Sequence, residues 1–363
     1  MTLESACPRF SDAMGWKSVG RYFGGLALAG FLLWWVFRGT DPESLWAQFR
    51  EASWAGLLLA AALNLGHNVF RVWRWRALLQ PIRPDVPFRP MFTAVIVGYM
   101  TTWVIPGRLG ELVRPLILSG QEGLPLGPTL GSVVADRLLD ASTVVVLFAV
   151  GAWVIPMEGE VATYAATLRT SAVVLGLLVL SFLGLMLIVD ARRDYVSGWI
   201  DRLPRPMRWL GNSFVSLSAG VGALRSPRLL LRIVLNSVAA WVVIALATWV
   251  GVRAAGAMVS FGAILFIMPM LVLGVAVPTP GGAGSYHGMM KIGLMLFGAS
   301  QIAAISAGLL MHALITVPVI LLGLILLWTE GISWRHVIDG ARQVRTLGAS
   351  AGDLPAPAAE GRR

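Results

Sequence analysis

A single cysteine, Cys7, leaves the chain with no disulfide to close and no Cys-based metal site. Charge is scarce too: Asp, Glu, Lys and Arg make up 13% of the 363 residues, where a soluble domain carries about 25%. There are four histidines, but no His-Glu-x-x-His pattern for zinc, no Gly-x4-Gly-Lys-Ser/Thr for a nucleotide and no Cys-His pair for acyl transfer. No cofactor, no metal and no catalytic motif are expected on these grounds, and the expectation is of a protein that is not an enzyme. The first apolar run lacks an Ala-x-Ala exit, so it is expected to be a retained span and not a cleaved signal.

What the chain has is hydrophobic surface. Apolar residues make up 56% and the mean hydropathy is +0.73, which predicts an all-α polytopic membrane protein. The net charge of +10 comes from arginines gathered in loops between apolar runs. That distribution fits an anionic lipid surface and membrane orientation, and no nucleic-acid partner is expected. Residues 1–18 form a polar segment, 19–330 a single membrane domain, and 331–363 a tail expected to be disordered from about 348.

Val19 to Phe37, at roughly 28 Å, is long enough to cross the hydrocarbon core. Leu45, Trp46 and Phe49 are spaced for a short interfacial helix, and Trp54 to Leu79 forms a second span with Asn64, His67, Asn68, Arg71 and Trp75 on one side. Arg71, Arg74, Arg76, Arg83 and Arg89 mark the next connection as cytoplasmic, which places the N-terminus inside, and Arg335, Arg342 and Arg345 keep the C-terminal tail inside. Further full spans are expected within 125–155, 170–189, 233–252 and 302–328. The expected total is about six full spans plus two re-entrant broken-helix hairpins, over 88–119 and 259–297, in an inverted repeat. Reading each hairpin as two thin crossings keeps every loop on the same side and stays open as an alternative.

The breaks carry the polar chemistry. Pro106-Gly107-Arg108-Leu109-Gly110-Glu111 with Arg114 places three charges beside a Pro-Gly break, and Pro278-Thr279-Pro280-Gly281-Gly282-Ala283-Gly284 forms the second break. Backbone freed by Pro or Gly at membrane depth is tolerated only inside protein or along a wet cavity. A half-helix starting after Gly107 would aim its positive end into the site, where Arg108 and Arg114 suit a phosphate; alternatively, Glu111 pairs with both arginines as a structural cluster. Asp136 and Asp140, at i and i+4 around Arg137, would hold a metal, carry a proton or form an internal ion pair. Gly281 and Gly282 permit close approach of a ligand or of another helix, Lys291 needs an anionic partner or water, and His287 is a packing element or a proton relay.

Arg74-Trp75-Arg76-Ala77-Leu78-Leu79, the Pro106–Glu111 motif with Arg114, Asp136-Arg137-Leu138-Leu139-Asp140 and Pro278-x-Pro280-Gly281-Gly282-x-Gly284 together resemble the lysylphosphatidylglycerol synthase transmembrane (flippase-like) family. The resemblance covers most of the chain and implies a flippase-like fold with re-entrant helices. The family's last motif usually ends in Glu, where His287 stands here. The aminoacyl-transferring soluble domain of the two-domain members is not expected.

The expected function is that of a multi-pass cell (inner) membrane flippase or transporter of an anionic lipid or lipid-linked substrate. Arg108, Glu111, Arg114, Gly281, Gly282 and Lys291 would form the substrate site, and Arg71, Asp136, Arg137, Asp140 and His287 a secondary polar set. A membrane-embedded lipid-modifying enzyme, or an accessory partner of a separate lipid synthase, is the alternative. The topology has a direct test. With Cys7 replaced, single cysteines at Gly159 and Ser197 are expected to react with an impermeant maleimide from opposite sides of the membrane, and labelling from one side would remove the topology.

Overall fold

Runs of Leu, Val and Ala with charge only at their ends satisfy their backbone internally as helices, the one open-ended arrangement a membrane accepts. A computed structural model describes residues 16–105, 109–154, 163, 165–204, 207, 208, 211, 215, 219–277 and 279–334. Among them are 12 α-helices and no strands. In chain order they are α1 (Trp16–Phe37), α2 (Pro42–Glu51), α3 (Trp54–Leu79), α4 (Phe88–Val104), α5 (Gly110–Glu122), α6 (Leu126–Val154), α7 (Ala165–Ala191), α8 (Arg193–Ile200), α9 (Pro227–Ala254), α10 (Phe261–Ala276), α11 (Ser285–Leu296) and α12 (Gln301–Thr329).

Serine sets several helix starts: the hydroxyls of Ser53, Ser260 and Ser300 accept from the N–H groups of Gly56, Ala263 and Ala303 at 3.3, 3.1 and 3.2 Å. The short helix expected around Leu45, Trp46 and Phe49 forms as α2, bent 83° from α1. Four described helices, lying within α3, α7, α9 and α12, are long and apolar enough to cross a membrane. The 29 residues of α6 have the length, but they include Asp136, Arg137 and Asp140.

Two large apolar cores, with two small satellites, are found among the described residues. One gathers the C-terminal part of α3 with α4, α5 and the first half of α6 around Trp75, Val97 and Leu118. The other joins α9, α10, α11 and α12 around Ile264, Met290 and Ala307. Helices α3 and α9 run antiparallel between them: the Ser53 N–H donates to the Ala254 carbonyl at 2.8 Å at one end, and the Arg74 guanidinium donates to Ser237 at 3.4 Å at the other.

Each core contains a helix pair folded back at one of the two breaks, and glycine permits both close approaches. In α4–α5, a Cβ on Gly98 would lie 3.1 Å from the Arg114 Cβ, and one on Gly110 would overlap the Gly98 carbonyl and the Thr102 hydroxyl. In α10–α11, a Cβ on Gly274 would lie 3.1 Å from the Ser285 carbonyl and 3.0 Å from Met289. A backbone carbonyl cannot move aside as a flexible side-chain tip can. Gly110→Ala is therefore expected to cost about 1–3 kcal/mol and to lower the thermal midpoint in detergent. Gly120→Ala, where a Cβ meets nothing within 4 Å, is the control, and equal midpoints for the two variants would rule out the close approach.

Candidate functional site

The polar face of α3 anticipated from sequence is turned inward. Asn64, His67, Asn68 and Arg71 recur at helical spacing and are buried, and Arg74 and Trp75 continue the face with no exposed surface at all. Opposite them, Asp136 and Asp140 occupy one face of α6 a helical turn apart.

The carboxylates and arginines form one cluster. Asp136 receives Arg74 at 2.7 Å, Arg114 at 2.9 Å and Arg137 at 3.0 Å. Asp140 receives Arg71 at 2.6 Å, Arg74 at 2.8 Å and Arg137 at 3.2 Å, and accepts the Trp241 indole N–H at 3.0 Å. Glu111 adds a contact to Arg137 at 3.4 Å. Four guanidiniums thus meet three carboxylates, leaving one positive charge in excess. Aromatic faces cover the cations: Arg114 lies 4.0 Å from the Trp75 ring centre, and Arg71 lies 5.6 and 5.5 Å from Tyr99 and Trp241. The internal ion cluster, one of the alternatives open for the aspartates, is present in the fold. No group of three His, Cys, Asp or Glu able to hold a metal occurs among the described residues.

Above this cluster lies a cavity of about 340 Å³ between the two cores. Arg71, Glu111, Arg137 and Asp140 line its charged end, Asn64, His67 and Asn68 continue up one wall, and Tyr99, Trp103, Trp241 and Tyr286 are among its aromatic members. The rest is mainly aliphatic. Glu111 and Arg137 are the more open of the charged pair partners, with side-chain exposures of 29% and 32% against 0% for Asp136.

The second break packs against Trp103, the penultimate residue of α4. A Cβ on Gly281 would lie 3.3 Å from the Trp103 carbonyl, and one on Gly282 would lie 3.6 Å from its indole ring. His312 of α12 bonds the Gly281 carbonyl at 2.8 Å and packs against both Trp103 and His287. The Gly284 N–H donates to His287 Nδ1 at 3.2 Å, so His287 braces the second break from within.

The structure separates the residues grouped by sequence. Arg71, Glu111, Arg137 and Asp140 line the cavity, whereas Asp136 and Arg114 lie beneath it in the ion cluster. Arg114 does not pair with Glu111, because its guanidinium points at Asp136. Gly281 and Gly282 serve helix approach and are not among the cavity-lining residues. Lys291 was expected on the cavity wall, but it donates to the Val36 carbonyl at 2.8 Å and lies 5.4 Å from the Trp35 ring. The physical reason is that α11 passes the C-terminal end of α1, where a cation meets free carbonyls and the negative end of the helix dipole. Arg108 lies outside the described residues. Sequence reading took Arg74 as a loop marker and passed over Tyr99, Trp103, Trp241 and Tyr286. The available signal for Arg74 was its i,i+3 spacing from Arg71, on the face already marked by Asn64 and Asn68.

A family model, the lysylphosphatidylglycerol synthase TM region, matches residues 22–323, most of the chain. Glycosyltransferase AglD of Haloferax volcanii is 24% identical over 340 residues, covering 84% of this chain and 54% of that relative. The chain therefore spans about half the length of the curated relative it matches. Family and relative together point to a membrane function connected with lipids, in a multi-pass protein. The expectation of a protein that is not an enzyme is corrected here, because the relative bears the name of a transferase.

Removing one member of a buried ion cluster strands the others, at a cost of about 3–5 kcal/mol. Asp136→Asn is expected to lower the thermal midpoint in detergent far more than Glu111→Gln does. The paired change Arg74→Met with Asp136→Leu is expected to cost less than the sum of its single changes. Additive losses would mean that the two side chains are not energetically coupled.

Proposed function

The chain belongs to the lysylphosphatidylglycerol synthase TM-region family, and from that membership we propose that it is a flippase-like carrier that moves an anionic lipid or lipid-linked phosphate between leaflets. The observation that carries the reading is the cavity's charged end, where Arg71 and Arg137 face the space above an ion cluster with one cation in excess. A phosphate completes that balance, and guanidinium is the cation best shaped to grip it. Apolar walls accept the start of the acyl or prenyl chains.

The finer architecture belongs to the same proposal. Helices α1, α3, α6, α7, α9 and α12 cross the membrane, while α4–α5 and α10–α11 enter from opposite faces as inverted repeats. The second break meets the other hairpin at Trp103, and rocking of one core against the other opens the cavity to one leaflet at a time. Both termini face the cytoplasm of a cell membrane, and a separate lipid-synthesising enzyme is the natural supplier of the substrate. Arg108, next to the first break, is assigned to the same headgroup site.

A second reading has one observation in its favour, the relative's name: the membrane domain holds the lipid-linked participant of a glycosyl transfer. One preparation tests both. Purified protein in liposomes is assayed for dithionite quenching of a tail-labelled fluorescent anionic lipid, and separately for sugar incorporation from nucleotide sugars into polyprenyl phosphate. Translocation is expected to exceed that of protein-free liposomes. Arg137→Ala is expected to reduce it at least about tenfold, the scale of losing one charge-assisted contact. Arg89→Ala, which removes an exposed pair with Glu330 at 2.7 Å, is expected to leave it unchanged. Sugar incorporation without translocation would replace the carrier reading with the transferase one.

A further inference from the structure

Two imidazoles hold the second break, and the headgroup site uses neither. Gly281, Gly282 and Gly284 have positive φ, at 58°, 67° and 81°, a conformation that glycine enters and leaves at little cost. Within the turn, the N–H groups of Gly282 and Ala283 donate to the Thr279 and Pro280 carbonyls at 3.1 Å. Side chains tie the turn to the helices: His287 Nδ1 of α11 accepts the Gly284 N–H at 3.2 Å, and His312 Nε2 of α12 bonds the Gly281 carbonyl at 2.8 Å. The two ring centres are 4.7 Å apart.

The partners fix the proton on each ring. A carbonyl only accepts, so His312 donates from Nε2 and keeps a lone pair on Nδ1. At His287 the ring itself is the acceptor. Its Nδ1 holds Gly284 only while it carries no proton, and the neutral ring keeps its hydrogen on Nε2. The two histidines therefore answer acid differently. His312 can take a proton on Nδ1 and still donate to Gly281, whereas a proton on His287 Nδ1 replaces the lone pair that Gly284 needs.

No described anion faces the pair to compensate for that loss. Among the described residues, α10 carries no titratable group, α1 carries none from Phe23 to Phe37, and α12 carries His312 alone. On α4 there are Arg89, paired with Glu330 at the far end of the helix, and Tyr99, which lines the cavity. On α11 itself are Tyr286 and, one turn from His287, Lys291, whose ammonium is turned to the Val36 carbonyl. A protonated His287 thus loses its partner in the packed break and gains no anion there, and only water reaching an opened break can solvate it.

We propose that His287 is a proton-binding site coupled to the second break: it carries no proton on Nδ1 while the break is packed on Trp103, takes one from water as the break opens, and gives it up on closing. The inference rests on the carrier reading above and adds to it a driving ion, with one proton exchanged in each cycle. An imidazole in water titrates near pH 6.5, so the closed form keeps its full stability above that pH, and its population relative to the open form falls about tenfold by pH 5.5.

The amides of the break report this without any lipid. Hydrogen exchange at Gly282, Ala283 and Gly284 is measured on the full chain in nanodiscs at pH 7.5 and 5.5, corrected for the intrinsic rate at each pH, and protection is expected to fall about tenfold at the lower one. In His287→Gln, whose amide oxygen accepts the Gly284 N–H at either pH, protection is expected to stay within about twofold. His287→Ala is expected to lack protection already at the higher pH, and His312→Gln, which keeps a donor for Gly281, to retain the response. Protection independent of pH in the unaltered protein, or a response that survives His287→Gln, would overturn the proposal. Pyranine-loaded liposomes then test the coupling: phosphatidylglycerol supplied to the outer leaflet is expected to change the internal pH faster than in protein-free liposomes, and no faster with His287→Gln. Lipid translocation with no accompanying change of internal pH would overturn the coupling. Absence of translocation at any pH would instead remove the carrier reading, while the exchange result still decides whether His287 binds the proton.

Discussion

Asp136 is the constraint on which the rest of the structure depends. It has no exposed surface and takes arginines from three helices, Arg74 of α3, Arg114 of α5 and Arg137 of its own α6. A lone carboxylate in hydrocarbon is too costly to keep, and a lone guanidinium is little better. Bringing these helices together is therefore the condition under which any of the charges can be buried. Asp140 extends the bond set to Arg71 and to the Trp241 indole of α9. The two helices that run between the cores are thus tied to the α5–α6 side by hydrogen-bonded charge, where apolar packing alone would allow sliding.

The backbone breaks obey a second constraint that fits the first. An interrupted helix leaves N–H and C=O groups that lipid cannot satisfy. At the second break His312 bonds the Gly281 carbonyl and His287 accepts the Gly284 N–H, so each imidazole serves the backbone before anything else. Trp103, one residue before the end of α4, covers Gly281 and Gly282 from the other hairpin. The first hairpin thus closes part of the second break, and the cavity lies between the two, on top of the ion cluster.

Much of this was legible in the residues. The Pro-Gly breaks, the inward polar face of α3 and the i,i+4 aspartates are local patterns, and helical periodicity carries them directly into three dimensions. Glu111 beside a break reads as a cavity residue for the same reason. What resisted reading is partnership across the fold. Nothing in the spacing of Arg114 favours Asp136 over Glu111, since both choices satisfy the charge and only the docking of α5 on α6 decides. Lys291 looks like a site cation because its neighbours are apolar, yet its partner is a main-chain carbonyl on α1, which sequence patterns do not mark. Trp241 is one of 15 tryptophans, and its role follows only from the antiparallel run of α9 along α3.

The same cluster that holds the helices together also shapes what the cavity can accept. Its carboxylates are already engaged, so the field at the charged end comes from guanidinium N–H groups held in fixed positions by hydrogen bonds to aspartate. For the anionic substrate proposed above, a site preorganised in this way does not need to rearrange, and little of the binding free energy is lost to ordering it. The fixed cluster gives no means of grading one phosphate lipid against another, because every such lipid presents the same anionic oxygens.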